Sequence, residues 1–193
     1  MTSWRGSWFA WALVAWALAG APRADAGVLS RMEGHLGLGY ARLFVADSPG
    51  GSLSATAGLD LPIARELRVG PAIGYHFLGS RTVEGDFNSA TVEYTAFEVA
   101  LLAHWQPVRL GPLARVSVGP ALVHGRGELS VSSGGAEFQD HAFDETAPGA
   151  ALDLTLLRRS PSPVRAGLEV GTRLGFLERE TWTIVGARLV VVF

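Results

Sequence analysis

Apolar and polar residues alternate one by one along most of this chain, the two-residue period of strands with unlike faces. The cleanest stretch runs from Val164 to Phe176. Val164, Ala166, Leu168, Val170, Thr172, Leu174 and Phe176 share one face, while Arg165, Gly167, Glu169, Gly171, Arg173 and Gly175 share the other. One face is apolar and the opposite holds only charge and glycine. In a soluble sandwich the apolar face would be core and the charged face wet. In a cylinder closed within lipid, the apolar face meets hydrocarbon and the small and charged residues fill the interior.

The same reading yields seven further strands, at about 32–44, 53–63, 67–78, 92–105, 111–124, 147–157 and 182–193. Each is near the roughly 9–11 residues that a tilted strand needs to cross a bilayer, or slightly longer. The positions expected to meet lipid include Leu36, Leu38 and Tyr40; Ala57, Leu59, Leu61 and Ile63; Val69, Ile73, Tyr75 and Phe77. The series continues with Phe97, Val99, Leu101 and Trp105; Val116, Val118 and Leu122; Leu152, Leu154 and Leu156. The pattern predicts an all-β chain, an eight-stranded antiparallel up-and-down transmembrane β-barrel.

The connections agree with that count. Three are tight, at 64–66, 106–109 and 158–163, and those between are mostly longer, at about 45–52, 79–91 and 125–146, with a short one near 178–181. Short turns on one side and long loops on the other are what such barrels have. Charge sorts with length. Asp47, Glu84, Asp86, Glu128, Glu137, Asp140, Asp144, Glu145, Glu178 and Glu180 fall in the longer set, and Arg65, Arg109, Arg158 and Arg159 in the tight one.

Residues 1–26 read as a cleavable signal peptide, leaving 27–193 as the barrel domain. Arg5 supplies a positive start, Ser7 to Ala19 an apolar stretch too short to span a bilayer as a helix, and Ala24-Asp25-Ala26 the small residues of a cleavage site, with Ala24 and Ala26 as its recognition positions.

Composition narrows the chemistry. At 48% hydrophobic and 18% charged residues, the chain is too apolar for disorder. Cysteine is absent, which excludes disulfides, thiol nucleophiles and thiolate metal sites. The net charge is −2 and the sixteen basic residues, all Arg, are scattered, so no nucleic-acid footprint exists. No nucleotide or cofactor motif is present.

Ala187, Leu189, Val191 and Phe193 alternate along the last segment, ending on an aromatic residue. This resembles the assembly signal of bacterial outer-membrane barrels, and implies recognition by the barrel-assembly machinery. Tyr40, Phe44, Tyr75, Phe77, Tyr94, Phe97, Phe176 and Trp182 at outer strand ends, with Trp105 and Phe193 at inner ends, are expected to form interfacial girdles. Val69-Gly70-Pro71-Ala72-Ile73-Gly74 and Val118-Gly119-Pro120-Ala121-Leu122-Val123 repeat one another, and with Gly37-Leu38-Gly39-Tyr40 they look like the Gly-rich strands of small barrels of the OmpA/OmpX/OmpW-like kind. The likeness covers the mature chain as a pattern and implies an outer-membrane, lipid-embedded, monomeric protein. Pro71 and Pro120 depart from it, and bulges are expected there because proline removes a ladder donor.

An eight-stranded barrel has room inside for little besides side chains. Asp60, Arg68, Glu98, Arg115, Asp153, Glu169, Arg173 and Arg188, with His104, face inward and are expected to pair as a salt-bridged plug. Recognition is then expected at loops 79–91 and 125–146, where an extracellular ligand would bind. A narrow channel or transporter of small or apolar molecules is one alternative. A lipid A-modifying enzyme is another, but no histidine is followed two residues on by the serine that deacylases of that kind carry. A Ser–His–acid grouping across the third long loop (Ser130, Ser132, Ser133, His124, His141) and a metal site at Asp140, His141 and Asp144 are weaker signals. No catalytic, cofactor or metal residue is assigned.

Overall fold

A computed structural model describes residues 31–45, 50–85, 88–107, 114–133, 136–158, 163–178 and 180–193. The proposed leader and its cleavage residues Ala24 and Ala26 lie outside the described residues. Eight strands follow one another: β1 (Glu33–Phe44), β2 (Gly51–Pro62), β3 (Leu67–Glu84), β4 (Asn88–Trp105), β5 (Ala114–Ser133), β6 (Ala136–Leu157), β7 (Arg165–Phe176) and β8 (Thr181–Val192). Each pairs antiparallel with the next, and β8 returns to β1, with Leu38 opposite Leu189 and His35 opposite Val192, so the sheet closes into a barrel. Closure satisfies every edge where lipid offers no hydrogen-bond partner.

The alternation in the sequence becomes an alternation of exposure. On β1, Leu36, Leu38 and Tyr40 are exposed while His35, Ala41 and Leu43 are buried; on β8, Leu189 is 72% exposed and Val190 only 1%. Leu101, Trp105, Val118, Leu122, Leu152, Leu154, Leu156, Leu168 and Val170 complete a continuous apolar exterior. A 12-residue strand is about 40 Å long, which at a barrel's tilt crosses a hydrocarbon layer of about 25–30 Å. Strands β1, β2, β7 and β8 have that length.

The other four strands do not stop at the membrane. β3 and β4 have 18 residues each, β5 has 20 and β6 has 22. The expected loops 79–91 and 125–146 are therefore largely strand: Gly79 to Glu84 pairs with Tyr94 to Ser89, and Gly127 to Ser133 pairs with Phe143 to Ala136. The sequence reading ended these strands where large lipid-facing residues gave way to Ser, Thr and Glu. The ladder continues past that point because polar β-formers keep it paired in water.

The prolines also behave differently from expectation. β2 and β3 pair on both sides of Pro71 in one unchanged register, Gly58 with Ala72 and Leu61 with Val69. β4 and β5 do the same around Pro120, Ala100 with Ala121 and Ala103 with Val118. Each proline sits in a gap of the ladder on its donor side rather than in a bulge. A Cβ on Gly70 or Gly119 would collide with the carbonyl oxygen of Leu59 or Leu101, so glycine before each proline lets the strands draw together. The register shifts occur higher, between Phe77 and Gly79 and between Gly127 and Glu128. Gly79 has φ +90°, a left-handed conformation that only glycine adopts cheaply.

Candidate functional site: a layered lumen and a one-sided wall

Inward-facing charge collects in the middle of the barrel. Arg173 on β7 donates from Nε to Glu98 Oε1 at 2.7 Å and from both terminal nitrogens to Asp153, at 2.6 and 3.0 Å. Arg188 on β8 donates to the same Asp153 at 2.8 Å and lies 3.2 Å from Glu169, which also accepts from Thr155 at 2.8 Å. Four strands, β4, β6, β7 and β8, thus contribute to one network. Space for it comes from glycine: a Cβ at Gly171 would fall on Asp153 Oδ1, and one at Gly74 would lie 2.7 Å from the Glu98 side chain.

A second cluster centres on Asp60, which is fully buried. Arg115 donates to its Oδ2 at 2.8 Å, His104 Nε2 approaches Oδ1 at 2.8 Å, and His35 Nδ1 lies 3.4 Å from Oδ2. At the mouth, Glu33 receives Arg68 at 3.0 Å and Arg165 at 3.1 Å. Arg68 is partly exposed there, so it belongs to the rim rather than to the enclosed network. Across these clusters, Glu33, Asp60, Glu98, Asp153 and Glu169 face Arg68, Arg115, Arg165, Arg173 and Arg188. These five carboxylates and five guanidinium groups balance in formal charge.

Two hydroxyl–histidine–carboxylate series run through the lumen. Ser54 Oγ lies 2.9 Å from His76 Nδ1, whose Nε2 is 3.8 Å from Glu98. Ser117 Oγ lies 2.6 Å from His104 Nδ1, whose other nitrogen meets Asp60. Both serines are enclosed, Ser54 completely and Ser117 at 1% exposure, so neither presents an oxygen to a substrate. His35 and His76 are members that the sequence reading passed over. The signal was available, since their neighbours Leu36, Tyr75 and Phe77 were already placed outward.

On the outer surface, His124 lies 2.9 Å from Thr146 Oγ1 and 3.5 Å from Asp144. The weaker signal of a cross-loop serine–histidine grouping is not realised among the described residues: Ser130 and Ser132 are spaced along β5, and the side chains of Ser133 and His141 lie outside the described set. Among the described residues no group of three or more histidine, aspartate or glutamate side chains is arranged to hold a metal ion.

Apolar layers cap the ions on both sides. Toward the outer end, Leu43, Leu78, Val123, Leu177, Trp182 and Ile184 form a buried cluster, with Tyr94 and Phe143 packed against it. Toward the inner end, Leu157, Val190 and Val192 form a smaller one. Trp182 is 1% exposed and stands edge-on to Phe143 with ring centroids 5.3 Å apart. Trp182 and Tyr94 are therefore lumenal and not part of an aromatic girdle. Their registers decide this: both share the inward parity of the strands that carry Arg188 and Glu98. Tyr40, Phe44, Tyr75, Phe77, Trp105, Phe176 and Phe193 are exposed, as a girdle requires.

Above the rim, β3, β4, β5 and β6 continue as a four-stranded sheet on one side of the barrel only, joined through Asn88 opposite Ser133. Its length beyond Gly79 and Gly127 is about six residues, or roughly 20 Å.

Eight meandering strands, a closed ladder, a lipid-facing belt and an ion-filled interior occur together in one class of protein. This is the fold of a small bacterial outer-membrane β-barrel. No protein-family profile matches the sequence, and no curated protein sequence matches it. Among solved structures the outer-membrane barrel is similar to Ail, the attachment invasion locus protein of Yersinia pestis, with a TM-score of 0.54 and 14% identity over 83% of this chain and 98% of that one. It is also similar to Ail in complex with the heparin analogue sucrose octasulfate (TM-score 0.52, 15% identity, 84% and 99% covered). Neisserial surface protein A superposes with a TM-score of 0.51 at 10% identity, covering 83% and 95%. The belt sets the barrel in the outer membrane, as the sequence implied.

Proposed function

We propose that this outer-membrane barrel is a surface-interaction protein whose lumen is closed and whose binding element is the wall formed by the β3–β4 and β5–β6 hairpins. The observation that carries the reading is the asymmetry of strand length. Four strands end at the membrane, and four adjacent ones run on by about six residues more as a paired sheet. A sheet held out in water by a fixed scaffold is a place where recognition residues are presented. The lumen's paired ions and apolar caps support a plug, because charges out of water are retained only when partnered. Barrel-assembly machinery acting on Ala187, Leu189, Val191 and Phe193, removal of residues 1–26, and a monomeric state belong to the same proposal.

Ail has been solved with a heparin analogue. Among the described residues, the exposed charges of this wall and rim include Glu84, Glu93, Glu128, Asp140, Asp144, Glu178 and Glu180 against Arg42 and Arg81, with Arg126 half-buried. A polysulfated ligand would be repelled, so we infer a ligand of different chemistry. The test compares the full chain with a variant whose hairpins are shortened across 81–91 and 129–140. Both should shift on gels between unboiled and boiled samples and give no steady current in planar bilayers. Only the full chain should confer adhesion of expressing cells to protein-coated surfaces. Steady currents from the full chain, or undiminished adhesion by the shortened one, would overturn the reading.

A further inference from the structure

Within the membrane this sheet is apolar outside and polar inside, but above the rim the polarity reverses. Cross-strand partners share a face, so the pairs Gly79–Tyr94–Gly127–Phe143, Arg81–Val92–Leu129–Asp140 and Val83–Ala90–Val131–Phe138 lie on the side that continues the lumen. That side carries Val83, Ala90, Val92, Leu129, Val131 and Phe138. The opposite side carries Ser80, Thr82, Glu84, Ser89, Thr91, Glu93, Glu128, Ser130 and Ser132, and Thr82 bonds to Thr91 across it at 2.8 Å. A polar outer side is what water and headgroups demand. An apolar inner side is not, and two of its members are among the more open large side chains of the molecule, Phe138 at 65% and Val83 at 58% exposure. Contiguous apolar surface left open to water marks a binding surface.

This inner face is continuous below with the rings of Tyr94, Phe143 and Trp182, so wall and lumen cap form one apolar bay, open on the side where β1, β2, β7 and β8 stop short. Its margins are acidic. Asp140 stands on the face itself, Glu145 sits at its foot bonded to the Glu178 backbone, and Glu178 and Glu180 rise from the turn across the mouth, with Arg81 the cation on this face among the described residues. Resting on the surface-interaction reading above, we propose that this bay docks a cationic amphipathic polypeptide segment of a partner. Its apolar side chains lie on Val83, Val131 and Phe138, and its Lys or Arg residues face Asp140, Glu178 and Glu180. Apolar area supplies affinity, and the acidic margin supplies orientation and on-rate.

The test uses the full barrel in nanodiscs of zwitterionic lipid and a labelled 12-residue peptide of alternating Leu and Lys, with empty nanodiscs as background and a Leu/Glu peptide as charge control. Binding of the Leu/Lys peptide above background is expected, with none of the Leu/Glu peptide. Phe138→Ser with Val83→Ser should weaken it by about tenfold or more, the scale of losing a buried apolar anchor. Asp140→Asn with Glu178→Gln should weaken it less, and more so at low salt than at high. Thr82→Ala on the opposite side should leave it unchanged. Binding no stronger than to empty nanodiscs, an equal loss with Thr82→Ala, or a face occupied by a second copy, seen as a dimer that Phe138→Ser dissolves, would each overturn the proposal. Should the peptide fail while the shortened hairpins still abolish adhesion, the wall remains the binding element and only its ligand class is wrong.

Discussion

At the residue scale, what matters is which ion answers to which. Glu169 and Arg173 lie on one strand, but each belongs to a different pair: Glu169 to Arg188, and Arg173 to Glu98 and Asp153. Arg173→Ala should therefore be the costlier change. It leaves Glu98 with only a histidine 3.8 Å away, and removes the bidentate partner of Asp153. Breaking a buried pair from one side costs about 3–5 kcal/mol. Glu169→Ala should cost less, because Arg188 keeps Asp153. Urea unfolding of the two variants in micelles, followed by gel mobility, checks the order, and equal midpoints would refute it. Which residues point inward was legible from parity alone. Their pairing was not, because Arg173 and Glu98 are 75 positions apart and meet only once the cylinder is closed.

At the scale of the element, parity was the strong signal and element ends were the weak one. Strand β7 is found one residue from where its alternation placed it, starting at Arg165, and β8 differs by one residue at each end. The outer halves of β3 to β6 were hidden because their alternation changes sign above the membrane: the reading looked for apolar residues outward and met Ser, Thr and Glu instead. Aromatic residues misled for a related reason, since a ring near a strand end serves equally as a girdle or as a cap. Tryptophan fluorescence separates the two. From Gly27 onward the chain has only Trp105 and Trp182. In brominated lipid, emission from Trp105 should be strongly quenched. A Trp105→Phe variant, reporting Trp182 alone, should be quenched little, since that ring is 1% exposed and lies inside the wall of strands. Strong quenching of the single-tryptophan protein would return Trp182 to the girdle.

At the scale of the whole molecule, the decisive contact is the seam between β1 and β8. Leu38 faces Leu189 there, both pointing outward into lipid, and directly opposed residues of an antiparallel pair lie about 4.5–5.5 Å apart at Cα. That separation suits a disulfide. The natural chain has no cysteine, so Leu38→Cys with Leu189→Cys gives a clean reporter. Oxidation of the folded barrel should link the two ends nearly completely, and the unfolded chain far less. A folded barrel that does not cross-link would mean an open seam.

The interior chemistry of this protein is bonded across strands that are distant in the chain: Arg165 reaches Glu33 over 132 positions, Arg115 reaches Asp60 over 55, and Arg188 reaches Asp153 over 35. Until the last strand docks, these groups keep their water, and no half-built sheet has reason to give it up. Dehydration of the core and completion of the ring are thus one event. The molecule has few stable stopping points between a solvated ribbon and a finished tube.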